Sequence, residues 1–141
     1  MYFIYSLTLV LASMPLGKLS DKIGMVKVIA AGFVSAIVSY IVLATSSTFA
    51  MLVLAFALFG IYSAATDGVE RALAAKLIGH ELLGAGEGTL QAAVGLSSLF
   101  AGSIGGLLWV NFGHVVALSY VSAVSIIGLS FLLLINRRHR I

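Results

Sequence analysis

The side chains able to do ionic or acid–base chemistry are few: five Asp or Glu, eight Lys or Arg, three His and no cysteine in 141 residues. Their spacing is more telling than their number. Asp67, Glu70 and Arg71 fall within five residues. On a helix, Asp67 and Arg71 are i,i+4 and Asp67 and Glu70 are i,i+3, so they share a face and a local ion pair is available. Asp21 sits in a second charged group with Lys18, Lys22 and Lys27, and the chain closes on Arg137-Arg138-His139-Arg140. Such groups suit ion pairs that form and break, as in a gate. A solvated, self-paired helix end is the plainer reading of Asp67, Glu70 and Arg71. Bond-making chemistry has no support. No nucleophile–base set and no metal-ligand cluster is spaced for use, and disulfides and thiolate metal sites are excluded. Gly84-x-Gly86-x-Gly88 follows no strand and lacks a phosphate lysine, so it reads as loop flexibility rather than a nucleotide site. The expectation is no enzyme, no cofactor and no metal.

The elements that hold these charges follow from composition. Hydrophobic residues make up 61% and charged residues 9%, with mean hydropathy +1.15 in 14.7 kDa. Soluble domains carry about 45–50% apolar and about 25% charged residues, and a chain this small cannot hide so much apolar surface in one aqueous core. A soluble enzyme, a nucleic-acid-binding module and a disordered tail are poor readings, and the lipid bilayer is the expected partner. Three stretches contain no Asp, Glu, Lys or Arg: residues 1–17, 28–66 and 88–136. A membrane helix needs about 20 apolar residues. The first stretch makes one short span. The second makes two, broken at Thr45-Ser46-Ser47-Thr48, and the third makes two, broken at Asn111-Phe112-Gly113-His114. The prediction is an all-α integral membrane protein of five antiparallel helices in one domain, with spans at about 1–17, 27–45, 49–75, 88–110 and 115–136. β-Barrel strands would alternate apolar and polar over about ten residues, and these runs do not.

Charge placement gives the orientation. All eight basic residues lie in the linkers after helices 1 and 3 or in the tail, and the turns after helices 2 and 4 contain none. By the positive-inside rule the N-terminus faces outward and the C-terminus the cytoplasm of a plasma or inner membrane. The basic tail then reads as an anchor at the headgroups. Residues 1–17 lack the basic n-region and cleavage site of a signal peptide. A first span that opens at Met1 suggests a chain beginning inside a longer ancestral protein, or a misassigned start.

The loop after helix 1 reads Gly17-Lys18-Leu19-Ser20-Asp21-Lys22-Ile23-Gly24, with both glycines expected to permit a tight turn. Gly-x-Leu-x-Asp-Lys-x-Gly between two membrane helices resembles the signature loop of the major facilitator superfamily, carried by Gly17, Leu19, Asp21, Lys22 and Gly24. That family has twelve spans in two halves. The copy here fits the weaker repeat after the eighth helix, so the chain resembles helices 8 to 12. Asp67-Gly68-Val69-Glu70-Arg71 is similar to acidic–basic runs ending the tenth helix in some members. Glu81-Leu82-Leu83-Gly84 is similar to a family turn, with Leu83 where that turn has arginine. The resemblance implies a gate role for Asp21 and a small solute as substrate. It also implies a central site shared with the missing N-terminal helices or with another membrane chain.

The uncharged residues fit the same frame. No carboxylate, His or basic residue falls at mid-membrane depth, and Asp67 lies about 19 residues into its helix, roughly 28 Å along it. Gly88, Ala92, Gly95, Gly102 and Gly106 fall on one face of helix 4, and Gly32, Ala36 and Ser39 on one face of helix 2. Both stripes suit close helix packing, with a homodimer face as the alternative on helix 4. Tyr5, Ser6, Thr8, Tyr40, Tyr62, Ser63 and Gln91 supply polar atoms for interhelical hydrogen bonds. Tyr2 and Trp109 suit an interfacial belt, Pro15 is expected to kink or end helix 1, and His114 sits in an outer turn. The expected function is solute transport by alternating access, with a non-transporting subunit or scaffold as the alternative. One half of a ten-span exporter fits the helix count, but the Gly17–Gly24 loop argues against it.

Overall fold

Hydrocarbon offers a peptide group no hydrogen-bond partner, so an apolar run crossing it satisfies every N–H and C=O within its own helix. The computed structural model describes residues 1–78 and 83–139. They form α1 (Tyr2–Ile23), α2 (Met25–Ala44), α3 (Phe49–Ile78), α4 (Leu83–Phe112) and α5 (His114–His139). All five are long and apolar enough to cross a membrane, consecutive helices run antiparallel, and no strand occurs among the described residues.

The helices extend past their apolar runs. α1 continues through Pro15 and Gly17 to Ile23. Proline removes one hydrogen bond, which a membrane helix tolerates, so Pro15 does not end α1. Gly17 makes no turn either. Lys18 to Lys22 form the last turns of α1 rather than a loop, and the connection to α2 shrinks to Gly24, at φ 101° and ψ 140°. Its N–H donates to the Ser20 carbonyl at 3.0 Å. The polar break between α2 and α3 works as a pair of caps. Ser46 Oγ donates to the Leu43 carbonyl at 2.9 Å, and the Met51 N–H donates to Thr48 Oγ1 at 3.3 Å. Gly113, at φ 85°, reverses the chain between α4 and α5. α3 and α4 have 30 residues each, about 45 Å of helix against a hydrocarbon core of about 30 Å. The surplus on α3 carries Asp67, Glu70 and Arg71 towards the end of the bundle that also holds Lys18, Lys22 and Lys27.

α3 is the centre of the bundle. It packs against α1 on one side and α2 on the other, α5 docks on α2, and α4 leans on α5 and meets α3 more sparsely. Lipid removes the hydrophobic drive between helices, so close approach and interhelical hydrogen bonds hold them. A Cβ on Gly60 would stand 2.8 Å from the Tyr5 carbonyl oxygen and 2.9 Å from Thr8 Cβ, so α1 and α3 meet backbone to backbone there. A Cβ on Gly32 would stand 2.8 Å from Ala65 Cβ, which brings α2 equally close to α3. Next to Gly32 on that stripe, Ala36 is buried and Ser39 Oγ donates to the Ala55 carbonyl at 2.7 Å. Ser35 Oγ donates to the Leu58 carbonyl at 2.8 Å, and the Tyr5 hydroxyl to Ser63 Oγ at 3.2 Å. Val28, Ile29, Ala65 and Val69 form the buried cluster between α2 and α3.

Candidate functional site at the charged end of the bundle

The antiparallel order brings the last turns of α1 and α3 and the first turns of α2 and α4 to one end. Asp67 is exposed there and lines three cavities. The first, about 300 Å³ between α1 and α3, places Asp67 in one cleft with Asp21, Ser13, Ser20 and Ser63. The second is a notch of about 100 Å³, where Asp67, Glu70 and Arg71 meet Gln91 of α4. The third, about 500 Å³, opens between α2, α3, α4 and α5 and has Asp67 and Glu70 at one end and Phe33, Tyr62 and Phe131 along its walls. One α3 turn therefore presents a carboxylate to each of these three gaps, which suits a segment whose neighbours shift against it.

Arg71 does not close the intrahelical pair with Asp67. Its Nε lies 3.7 Å from Glu87 Oε1 on α4. The helical hairpin sets the first turns of α4 beside the last turns of α3, and the guanidinium bridges the notch between them. Glu87 was not among the residues singled out from the sequence. The signal for it was its position as the one acidic residue in the early turns of α4, opposite Arg71 across a hairpin. The two side chains are 60% and 41% exposed, and exposed pairs contribute about 0–1 kcal/mol. Glu87→Gln is therefore expected to move the unfolding midpoint of the chain in sodium dodecyl sulfate very little. A large loss would mean the pair is screened from water.

The remaining candidates divide sharply. Lys18, Leu19, Asp21 and Lys22 are exposed on the last turns of α1. The α4 stripe faces open space: Gly88, Ala92, Gly95, Gly102 and Gly106 are all exposed, and a Cβ on any of the four glycines would meet nothing within 4 Å. Close packing within the described residues thus falls to Gly32 and Gly60. Tyr5 and Ser63 hydrogen-bond between helices, as expected of such groups, whereas Thr8 Oγ1 donates to the Ile4 carbonyl of its own helix. Trp109 and Tyr2 are exposed near the opposite end of the bundle, Trp109 with its ring centroid 6.0 Å from that of His114. Glu81, Leu82 and Arg140 lie outside the described residues, and of Lys76, Leu83, Arg138 and His139 the backbone alone is described. Among the described residues no three His, Cys, Asp or Glu side chains are grouped to hold a metal ion.

Comparison with known proteins places this arrangement in context. The family model described as Major Facilitator Superfamily matches residues 1–141. An uncharacterised MFS-type transporter of Methanocaldococcus jannaschii is 33% identical over 109 residues, covering 77% of this chain and 27% of that relative. The chain thus matches about a quarter of the relative's length. No solved structure matches.

Proposed function

The chain belongs to the Major Facilitator Superfamily, and on that premise we propose that it acts as the helix 8 to 12 portion of a secondary transporter. A small solute crosses a cell membrane by alternating access as this portion rocks against the helices that precede it. The observation that carries the reading is the family match along the whole chain, in a bundle whose first helix carries Gly17, Leu19, Asp21 and Lys22 in its last turns and passes to the second through Gly24. The distribution of the eight basic residues supports a cytoplasmic charged end and an outer N-terminus.

In this reading Asp21, Asp67, Glu70 and Arg71 work as cytoplasmic gate charges. Their exposure in clefts between helices supports it, because carboxylates at a moving seam exchange partners with little desolvation cost. The open α4 stripe supports the need for further helices. Glycine gains its advantage in a membrane from a close neighbour, and Gly88, Gly95, Gly102 and Gly106 have none among the described residues.

The test is flux. Liposomes holding this chain alone are expected to accumulate no member of a panel of radiolabelled small solutes, and liposomes holding it fused to seven upstream family helices to accumulate at least one. Equal uptake by the chain alone, or no uptake by the fused chain, would overturn the reading. The same open stripe favours a second reading, a subunit or scaffold that binds another membrane chain through α4. Gly102→Leu and Gly106→Leu would then dissolve a stoichiometric complex, and an unchanged oligomeric state would remove its support.

A further inference from the structure

The cavity of about 500 Å³ between α2, α3, α4 and α5 is lined on α3 by five residues spread over about three turns, facing α5. Its size falls in the range of small-molecule sites, about 300–1,000 Å³. Its chemistry is graded along α3. Leu73 stands outermost on α3, Glu70 and Asp67 come next, Thr66 follows, and Tyr62 lies five residues inward of Asp67, about 7.5 Å along the axis. Phe33 meets Tyr62 edge to face, with ring centroids 5.9 Å apart. Across the cavity, Gly128, Phe131, Leu132 and Ile135 recur at i, i+3, i+4 and i+7, which gives one apolar wall on α5. Gly128 keeps the wall near Phe33, since a Cβ there would sit 3.4 Å from the ring.

We propose that this cavity binds an amphiphilic organic cation, with its apolar body against Phe33, Tyr62 and Phe131 and its positive centre towards Asp67 and Glu70. The preference for positive charge is local. Both carboxylates line the cavity, Arg71 lies in the neighbouring notch paired with Glu87, and Lys27 and Arg137, at the same end of the bundle, do not line it. Aromatic faces add to the attraction for a cation and offer none to an anion. A neutral apolar molecule gains nothing from the acidic end, and an amphiphilic anion is repelled by it. The inference deepens the transport reading by naming a ligand class, yet binding to this chain is measurable without any flux.

Tetraphenylphosphonium and tetraphenylborate have the same shape and opposite charge, so they isolate the electrostatic part. The full chain in nanodiscs of neutral lipid is titrated with each, bound probe being measured by equilibrium dialysis against empty nanodiscs. Saturable binding of tetraphenylphosphonium at one site per chain is expected, with tetraphenylborate showing no saturable component. Asp67→Asn with Glu70→Gln should weaken the cation at least tenfold. Phe131→Ala should weaken it several-fold, with the helical circular dichroism unchanged in each variant. Equal binding of the two ions, no saturable cation binding, or full affinity in the Asp67→Asn, Glu70→Gln variant would overturn the proposal. None of these results would alter the flux comparison, so the two readings fail separately.

Discussion

Gly60→Leu is expected to separate α1 from α3 and to leave α3 packed mainly on one side, against α2. A Cβ at residue 60 would already stand 2.8 Å from the Tyr5 carbonyl oxygen, 2.9 Å from Thr8 Cβ and 3.2 Å from the Leu9 backbone nitrogen. These atoms belong to the helix backbone or to the stem of a side chain, so none can swing aside. Overpacking a close contact costs about 1–3 kcal/mol, and Gly60→Ala is expected in that range. Leucine adds three more carbons in the same direction and should exceed it, with loss of the Tyr5–Ser63 hydrogen bond. The measurement is the unfolding midpoint in sodium dodecyl sulfate, followed by circular dichroism. Gly102→Leu is the matched control, since nothing stands within 4 Å of a Cβ there, and substitutions away from packed features stay within about 0.5 kcal/mol. Equal loss in both variants, or none in Gly60→Leu, would mean that α1 and α3 do not meet as described.

The second large effect separates the two motif glycines. Gly24 has φ 101° and ψ 140°, a region essentially confined to glycine, where any other residue costs about 1–3 kcal/mol. A Cβ at Gly24 meets nothing within 4 Å, so the penalty of Gly24→Ala is backbone strain at the single residue joining α1 to α2. Gly17 is helical and equally open. Gly17→Ala exchanges the poorest ordinary helix former for the best, a change of up to about 1 kcal/mol in favour of the helix. The two substitutions are therefore expected to have opposite signs in the same unfolding experiment. A shared sign would contradict the assignment of the turn to Gly24.

The architecture was legible because it rests on the strongest signal a sequence carries, namely length without charge. Residues 28–66 and 88–136 exceed one bilayer crossing and carry polar breaks near their middles, and those breaks at Thr45–Thr48 and Gly113 are where the chain turns. Helix ends were less legible. Polar residues outside the hydrocarbon core neither require nor forbid a helix, so α1 runs on through Lys18 and Asp21 and α3 through Asp67 and Arg71.

Which glycines pack was not legible from spacing. α4 carries the more regular stripe yet is open along it, whereas Gly60 stands in an ordinary apolar run and takes a contact as tight as that of Gly32. A hint existed in the small residues of α3, where Gly60 precedes Ser63, Ala64 and Ala65, all of which are buried. The partner of Arg71 was hidden for a similar reason. Local spacing favours Asp67, but the choice is made by where α4 lies, and that depends on packing between helices distant in sequence. The cavities shared by Asp67 have the same origin, since four helices must be placed before the space between them has a shape.

A cytoplasmic gate in this chain requires one physical arrangement above all: five crossings with every cation on one side. The chain contains no cysteine, so single-cysteine variants need no background correction. Ser47→Cys, in the turn between α2 and α3, and Arg138→Cys, near the end of α5, are treated in intact cells with a membrane-impermeant maleimide. Labelling of Ser47→Cys from outside, and of Arg138→Cys only after permeabilisation, is the predicted result. Both sites reacting from the same side would contradict the topology, and the placement of Asp21, Asp67, Glu70 and Arg71 at a cytoplasmic gate would fall with it.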